Sequence, residues 1–451
     1  MEFRYGSDEM RRLFSRENIL VRMIDVEVSL IKGLEECGLI PEGSCAGVIE
    51  CARSVDVATV EECERRLGHE VMGLAVAIAE ACGERGRYVH YGATSNDVID
   101  TVWALTLREA LRLVRLKLVN LINLLIKLSR NYSTTLMVGR THAQHALPIT
   151  LGFKFANYVY EFTRSLDRLM SAESRVVLGK MAGAVGTMAG WQDRGLCVES
   201  VVMRELGLRP HLIATQVAPR DGFAELISSL AIVAAQAERL GIEVRELMRP
   251  EIMELAEGVK GRVGSSTMPH KENPVLSEKL AGLAKLLRGL VITALENIPL
   301  WHERDLSNSS SERLLIPHAF LVVDEILETA IKLLEDLRIY PERMLRNIEL
   351  SRGAIVSEAL VLRLTDKGMR RHEAYELVKE LVNRALSEGT DLLIIASTDV
   401  RVTKYLSQDE IREVLDYRKY LGSYAELMER AINYAEEVMR RASQEVMSQS
   451  G

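Results

Sequence analysis

Aromatic residues make up only 5% of this 451-residue sequence, and prolines number ten. With so few rings and helix breakers, and with Leu, Ala, Glu, Arg and Val dominating, the composition favours long uninterrupted helices. No uncharged apolar run reaches the roughly 18 residues that a membrane-spanning helix requires. A basic excess is also lacking: 57 Lys and Arg against 64 Asp and Glu give a net charge of −7. That balance argues against a general nucleic-acid binder, so any anionic ligand must meet a local cluster of positive charge. No Cys-x-x-Cys pair occurs among the six cysteines, and neither zinc nor a redox pair is expected. The start, Met1-Glu2-Phe3-Arg4-Tyr5, is charged from its second residue, which predicts no secretory signal and a cytoplasmic location. Reduced thiols are then expected at Cys37, Cys45, Cys51, Cys63, Cys82 and Cys197, with disulfides as the lesser alternative.

A charged fraction of 27% beside 47% hydrophobic residues describes an ordinary globular protein of two or three packing units. The expected fold is all-α, in three domains. Residues 1–92 read as a small helical domain, with helical periodicity over Glu17–Cys37 and again over Val57–Cys82. Residues 93–341 read as a central bundle of long helices, and 342–451 as a second small helical domain beginning after Pro341.

Polar loops interrupt the apolar periodicity. The most distinctive is Gly264-Ser265-Ser266-Thr267-Met268-Pro269-His270-Lys271-Glu272-Asn273-Pro274. Its two prolines exclude a continuous helix, and its hydroxyls, ammonium and carboxamide can be aimed in advance. A second segment, His90-Tyr91-Gly92-Ala93-Thr94-Ser95-Asn96-Asp97, precedes a long helical pattern. It reads as a cap and as a potential anion site. A third, Gly139 to Pro148, holds His142 and His145. No third ligand is evident nearby, so a positioned acid or base is a better reading than a metal site. The glycine-rich stretch Gly179 to Gly195 fits no nucleotide-loop pattern and reads as a connection between helices. A polar run, Trp301 to Arg313, precedes the last bundle helix, expected at about 314–337.

Residues 264–273 match Gly-Ser-Ser-x-Met-Pro-x-Lys-x-Asn, the signature of the fumarase/aspartase superfamily, and the three loops follow that superfamily's order. Together with Arg4-Tyr5, His69-Glu70, Thr215-Gln216 and Trp301-His302-Glu303-Arg304, they make the whole chain resemble the adenylosuccinate lyase family. The departures are Gly68-His69-Glu70 for the usual Asn-His-Asp, Glu272 where Arg is common, and Lys279 where some members place Arg. The resemblance implies β-elimination of fumarate from adenylosuccinate, giving AMP, and from the succinylated carboxamide ribotide of purine synthesis, without a cofactor. It implies Ser265 as the base and His142 as the acid. Lys271 and Asn273 would stabilise the carbanion, Glu278 would orient His142, and His69 would belong to the catalytic group. His90, Thr94, Ser95, Gln216 and Lys279 would contact the substrate; Arg4, Tyr5, Arg304, Ser309 and Arg313 would hold its phosphate. It further implies a homotetramer with sites shared between chains, acting on a small molecule, with neither membrane nor nucleic acid as partner. The alternatives are a 3-carboxymuconate-type cycloisomerase and a catalytically silent structural relative.

Overall fold

The computed structural model describes residues 4–258, 268 and 270–449. Ser265 and most of its loop lie outside the described residues.

Short helices come first: α1 (Asp8–Leu13), α2 (Arg16–Glu36), α3 (Val48–Arg53), α4 (Val57–Leu67) and α5 (Glu70–Cys82). The side chain of Ser15 caps α2, and Gly38, at φ +74°, follows its end. The single helical pattern expected over Val57–Cys82 is two helices. Gly68 adopts φ +69°, which a residue with a Cβ resists, and His69 restarts the helix as the N-cap of α5.

The centre consists of α6 (Ser95–Asn131), the hairpin β1 (Leu136–Thr141) and β2 (Gln144–Thr150), and α7 (Leu151–Val176). A two-residue strand β3 (Leu178–Gly179) leads to α8 (Gly195–Leu206), and β4 (Arg209–Pro210) pairs parallel to β3. Then follow α9 (Asp221–Leu247), β5 (Leu255–Ala256), α10 (Val275–Glu296) and α11 (Ser307–Glu335). At 37 residues, α6 is roughly 55 Å long. It packs on α7 and α11, while α9 packs on α7, α10 and α11. Leu and Val from all five helices form one core with Phe155, Phe162 and Phe320.

After α11, β6 (Arg338–Ile339) pairs with β5, and α12 (Pro341–Glu349) packs on β1. Five helices follow: α13 (Ser357–Asp366), α14 (Arg371–Ser387), α15 (Leu392–Thr398), α16 (Val400–Thr403) and α17 (Gln408–Val414). They enclose their own apolar cluster. The last helix, α18 (Tyr424–Gln449), returns to α7 and places Ile432, Ala435 and Val438 in the bundle core.

The protein is all-α apart from three two-stranded pairs among the described residues. Two further sequence expectations need correction. Cys37 is bonded to Cys197 and Cys51 to Cys82, while Cys45 and Cys63 are free and buried. The expectation of uniformly reduced thiols fails because α2 runs beside α8 and α3 beside α5, which brings the paired cysteines together. The last bundle helix also begins at Ser307, seven residues before the expected start. Asp305 receives the main-chain N–H of Ser307, and Asn308 and Ser311 bond within the first turns, so a run of weak helix formers is held helical.

Candidate active site

A cavity of ≈970 Å³ opens where α1, α2, α5, α6 and α11 converge, lined among others by Arg16, Glu70, Arg304, Ser309 and Arg313. The local chain conformation at its rim follows from capping. His69 accepts the main-chain N–H of Met72 through Nδ1 and lies 3.3 Å from the Ser95 hydroxyl through Nε2. Asp97 Oδ2 accepts the main-chain N–H of Thr94 at 2.8 Å, which fixes the first turn of α6. Just ahead, a Cβ on Gly92 would lie 2.4 Å from Nε1 of Trp191, the buried indole that donates to Tyr91 O; only glycine fits there.

On the opposite wall, Arg304 donates to Gln216 Oε1 at 3.0 Å, and Gln216 donates to Ala184 O at 2.8 Å. The turn carrying Arg304 is stapled by Asp305, which accepts the N–H of Trp301, itself 79% exposed. Glu70 accepts from Arg16 and from Arg313, each at 2.6 Å. Burial pushes the Glu70 carboxyl up, but the charge of Arg313 and the bond from Arg16 outweigh it and hold the carboxyl below its usual range. Within one chain, therefore, His69, Thr94, Ser95, Gln216, Arg304, Ser309 and Arg313 gather at one place.

Beneath them lies a polar scaffold that sequence reasoning missed. Arg220 donates to Asp100 at 2.8 Å and to Glu312 at 2.9 Å, and also to Ala218 O; Asp100 accepts the Ala218 N–H in return. Asn96 donates to Asp100 and Asn308 to Glu312. All five side chains are buried. The guanidinium thus clamps α6, the Gln216 segment and α11 together. Burial pushes Glu312 up despite Arg220, with the like charge of Asp100 adding to the push. A second buried pair, Lys180 and Asp97 at 2.7 Å, ties the glycine-rich connection to the start of α6. The signal available in the sequence was spacing: Asn96 and Asp100, like Asn308 and Glu312, are polar i, i+4 pairs on otherwise apolar helices.

His90 stands four residues before Thr94 in a left-handed conformation, φ +60°. Its main-chain N–H and ring Nδ1 both meet the carboxylate of Glu27, at 3.0 and 2.7 Å.

The remaining candidates lie elsewhere on the chain. His142 and Ala143 form the tip of the β1–β2 hairpin with φ of 53° and 58°. A two-residue turn of this hand favours Asn-Gly, so His-Ala is held there at a cost of about 1 kcal/mol or more per residue. His142 is exposed and has no hydrogen-bond partner among the described residues. The hairpin is anchored by Arg140, which grips Glu254 through both terminal nitrogens, at 2.9 and 2.7 Å. Lys271 and Glu278 are exposed and Asn273 half-buried at the start of α10, whose first N–H groups are received by buried Glu257. Lys279 is paired with Glu325 and lies 6.0 Å from the Tyr5 ring centroid; Arg4 lies as far from that ring. No hydrogen bond or ion pair joins His142 to Glu278, or either of them to the cavity group, among the described residues.

Residues 1–289 match the model of a family described as Lyase, so a predominantly helical lyase is the class to which this chain belongs. Residues 353–431 match a model described as adenylosuccinate lyase C-terminus. Adenylosuccinate lyase from Pyrococcus abyssi is 44% identical over 98% of both chains, and that from Methanothermobacter thermautotrophicus 41% identical over 96% of this chain and 97% of the other. Among solved structures, a fumarate lyase from Mesorhizobium sp. BNC1 superposes with a TM-score of 0.88 at 32% identity, over 95% of this chain and 98% of that one. The 3-carboxy-cis,cis-muconate lactonizing enzyme from Pseudomonas putida also gives 0.88, at 31% identity over 97% and 99%. The chain belongs to the adenylosuccinate lyase family.

Proposed function

We propose that this protein is a carbon–nitrogen lyase that eliminates fumarate from adenylosuccinate to give AMP, and from the succinylated aminoimidazole carboxamide ribotide in the same way. The observation that carries this reading is the cavity bearing Arg304, Ser309 and Arg313 in a chain of net charge −7: a focused positive wall is what a phosphate-bearing substrate requires.

In the proposed reaction Ser265 removes the Cβ proton. Charge then moves onto the neighbouring carboxylate, where Lys271 and Asn273 stabilise it. The electron pair forms the carbon–carbon double bond of fumarate as the C–N bond breaks, and His142, oriented by Glu278, protonates the departing nitrogen. His69, His90, Thr94, Ser95, Gln216 and Lys279 bind the succinyl and base portions, and Arg4 and Tyr5 join the phosphate clamp. No step calls for a metal or an organic cofactor.

Because the acid, the carbanion-stabilising residues and the cavity group occupy separate places on one chain, the reading includes a homotetramer whose sites combine several chains. The outer face of α10 supports it. Val275, Leu286 and Ile292 are 49%, 44% and 67% exposed there, and Gly282 and Gly289 face open space, a surface suited to close helix packing. A cytoplasmic location belongs to the same reading.

The test is an absorbance assay on purified protein with adenylosuccinate, with fumarate identified as product. A second reading, a 3-carboxymuconate-type cycloisomerase, draws on the likeness to the Pseudomonas putida structure. Turnover of carboxymuconate without fumarate release would favour it.

A further inference from the structure

Glu27 lies on α2, 1% exposed, 63 residues from His90. A carboxylate so deeply buried needs compensation. It finds it in one residue: Oε2 accepts the His90 main-chain N–H at 3.0 Å, and Oε1 lies 2.7 Å from Nδ1. A carboxylate that accepts in both contacts leaves the proton of the second on the ring, and that assignment is part of the proposal. The two bonds also hold His90 at φ +60°, a left-handed conformation that a residue with a Cβ resists. Ring Nε2 has no hydrogen-bond partner among the described residues.

We propose that Glu27 is a positioning residue for His90: it fixes the ring proton on Nδ1 and turns Nε2 toward the substrate. The inference rests on the reading of His90 as a substrate contact. The other charged groups near this corner are Asp97 of α6, its partner Lys180, and Glu199 of α8, whose carboxyl is raised first by burial and then by Asp97. Burial pushes the His90 imidazole down, but Glu27 and then Asp97 raise it above its ordinary value. The imidazolium, which carries a proton on Nε2 as well as on Nδ1 and so presents a charged donor to an anionic oxygen, thereby persists to higher pH.

The experiment is Glu27→Gln, which keeps the shape and removes one acceptor. The amide carbonyl can take only one of the two His90 donors, and its NH2 must face the other. The arrangement without opposed donors sets NH2 against Nδ1 and moves the ring proton to Nε2. Selective 15N-histidine labelling, with His90→Asn to assign the signal, should report Nδ1–H in the neutral wild-type ring and Nε2–H in the variant. At least a tenfold fall in kcat/KM for adenylosuccinate should accompany the change, with the His90 limb of the pH profile displaced to lower pH. Thermal unfolding near the wild-type temperature would separate this from a folding defect. A neutral wild-type ring protonated on Nε2 overturns the proposal without any variant. So does a Glu27→Gln protein whose ring proton has moved while kcat/KM and the pH profile stay within twofold. A wild-type protein that releases no fumarate would instead refute the reading of function, a result separate from the ring-proton signal.

Discussion

Arg313 donates to Glu70 at 2.6 Å across the cavity mouth, so the guanidinium assigned to the phosphate is already engaged before any ligand arrives. Arg304, by contrast, donates to a neutral amide, Gln216, and forms no ion pair among the described residues. The two arginines should therefore contribute unequally. Arg304→Ala is expected to raise KM for adenylosuccinate by about 10- to 150-fold, equivalent to about 1.5–3 kcal/mol for a charged hydrogen bond. Arg313→Ala should fall toward the lower end. Both losses should shrink to a few-fold with the dephosphorylated nucleoside analogue; equal losses on the two substrates would make these arginines structural.

The same pair predicts a pH effect. Glu70 is held below its usual range in the folded chain, so its contribution to stability is present above the unfolded value and is lost as pH falls through the folded one. Thermal melts taken from neutral to acid pH should show a shallower decline for Glu70→Gln than for the parent. Parallel declines would remove Glu70 from acid unfolding.

Arg220 joins two buried carboxylates, and removing it leaves both uncompensated. Arg220→Met should destabilise the protein by about 3–5 kcal/mol, the usual cost of breaking a buried ion pair from one side. Adding Glu312→Gln should recover part of the loss, because the two changes touch one network. Denaturant unfolding of the single and double variants measures this, and strictly additive costs would contradict it.

His142 stands on a hairpin tip apart from the cavity group. Ser265→Ala and His142→Asn proteins, each inactive alone, should regain partial activity when mixed and allowed to exchange chains. Absence of recovery despite demonstrated exchange would assign both residues to one chain.

The Cys37–Cys197 bond closes 160 residues of sequence. In the chain-entropy account such a loop is worth at most about 5 kcal/mol. Reduction, or replacement of both cysteines by serine, should lower the unfolding temperature while leaving kcat intact. A stability unaffected by reductant would show that the bond is not formed in solution.

The long helices were readable because their apolar residues repeat at helical spacing and their ends carry Thr94, Gly38 and Pro341. The hairpin around His142 was not. Its strands are short, one contains Pro148, and its turn uses His-Ala where Asn-Gly is the usual signal. The split between α4 and α5 hinged on the backbone angles of Gly68, and periodicity does not report those. Of the candidates that gather at the cavity, Thr94, Ser95, Arg304, Ser309 and Arg313 stand in polar runs that the sequence itself marks, whereas His69 and Gln216 were singled out by the family resemblance; their roles stand as proposals. Glu27, Asp100, Arg220 and Glu312 escaped because the contacts that join them across elements span 63 to 120 residues; the i, i+4 pairs Asn96–Asp100 and Asn308–Glu312 were the one local trace of them. The three-part division of the chain stands as a proposal. Three apolar clusters favour it, while α18 and the segment around α8 cross its borders.

Trp191, buried against the Gly92 turn, is one of three tryptophans, and each has different surroundings. Trp103 lines the cavity, and Trp301 is 79% exposed at the head of the segment that carries Arg304. The molecule therefore contains its own optical probes. Trp301 emission should lie at long wavelength in a separate chain and move to shorter wavelength when a ligand or a second copy covers it. Trp103 should respond to filling of the cavity alone, and Trp191 to neither. Phe variants at the two responsive positions would let a rapid-mixing trace separate ligand entry from the joining of chains.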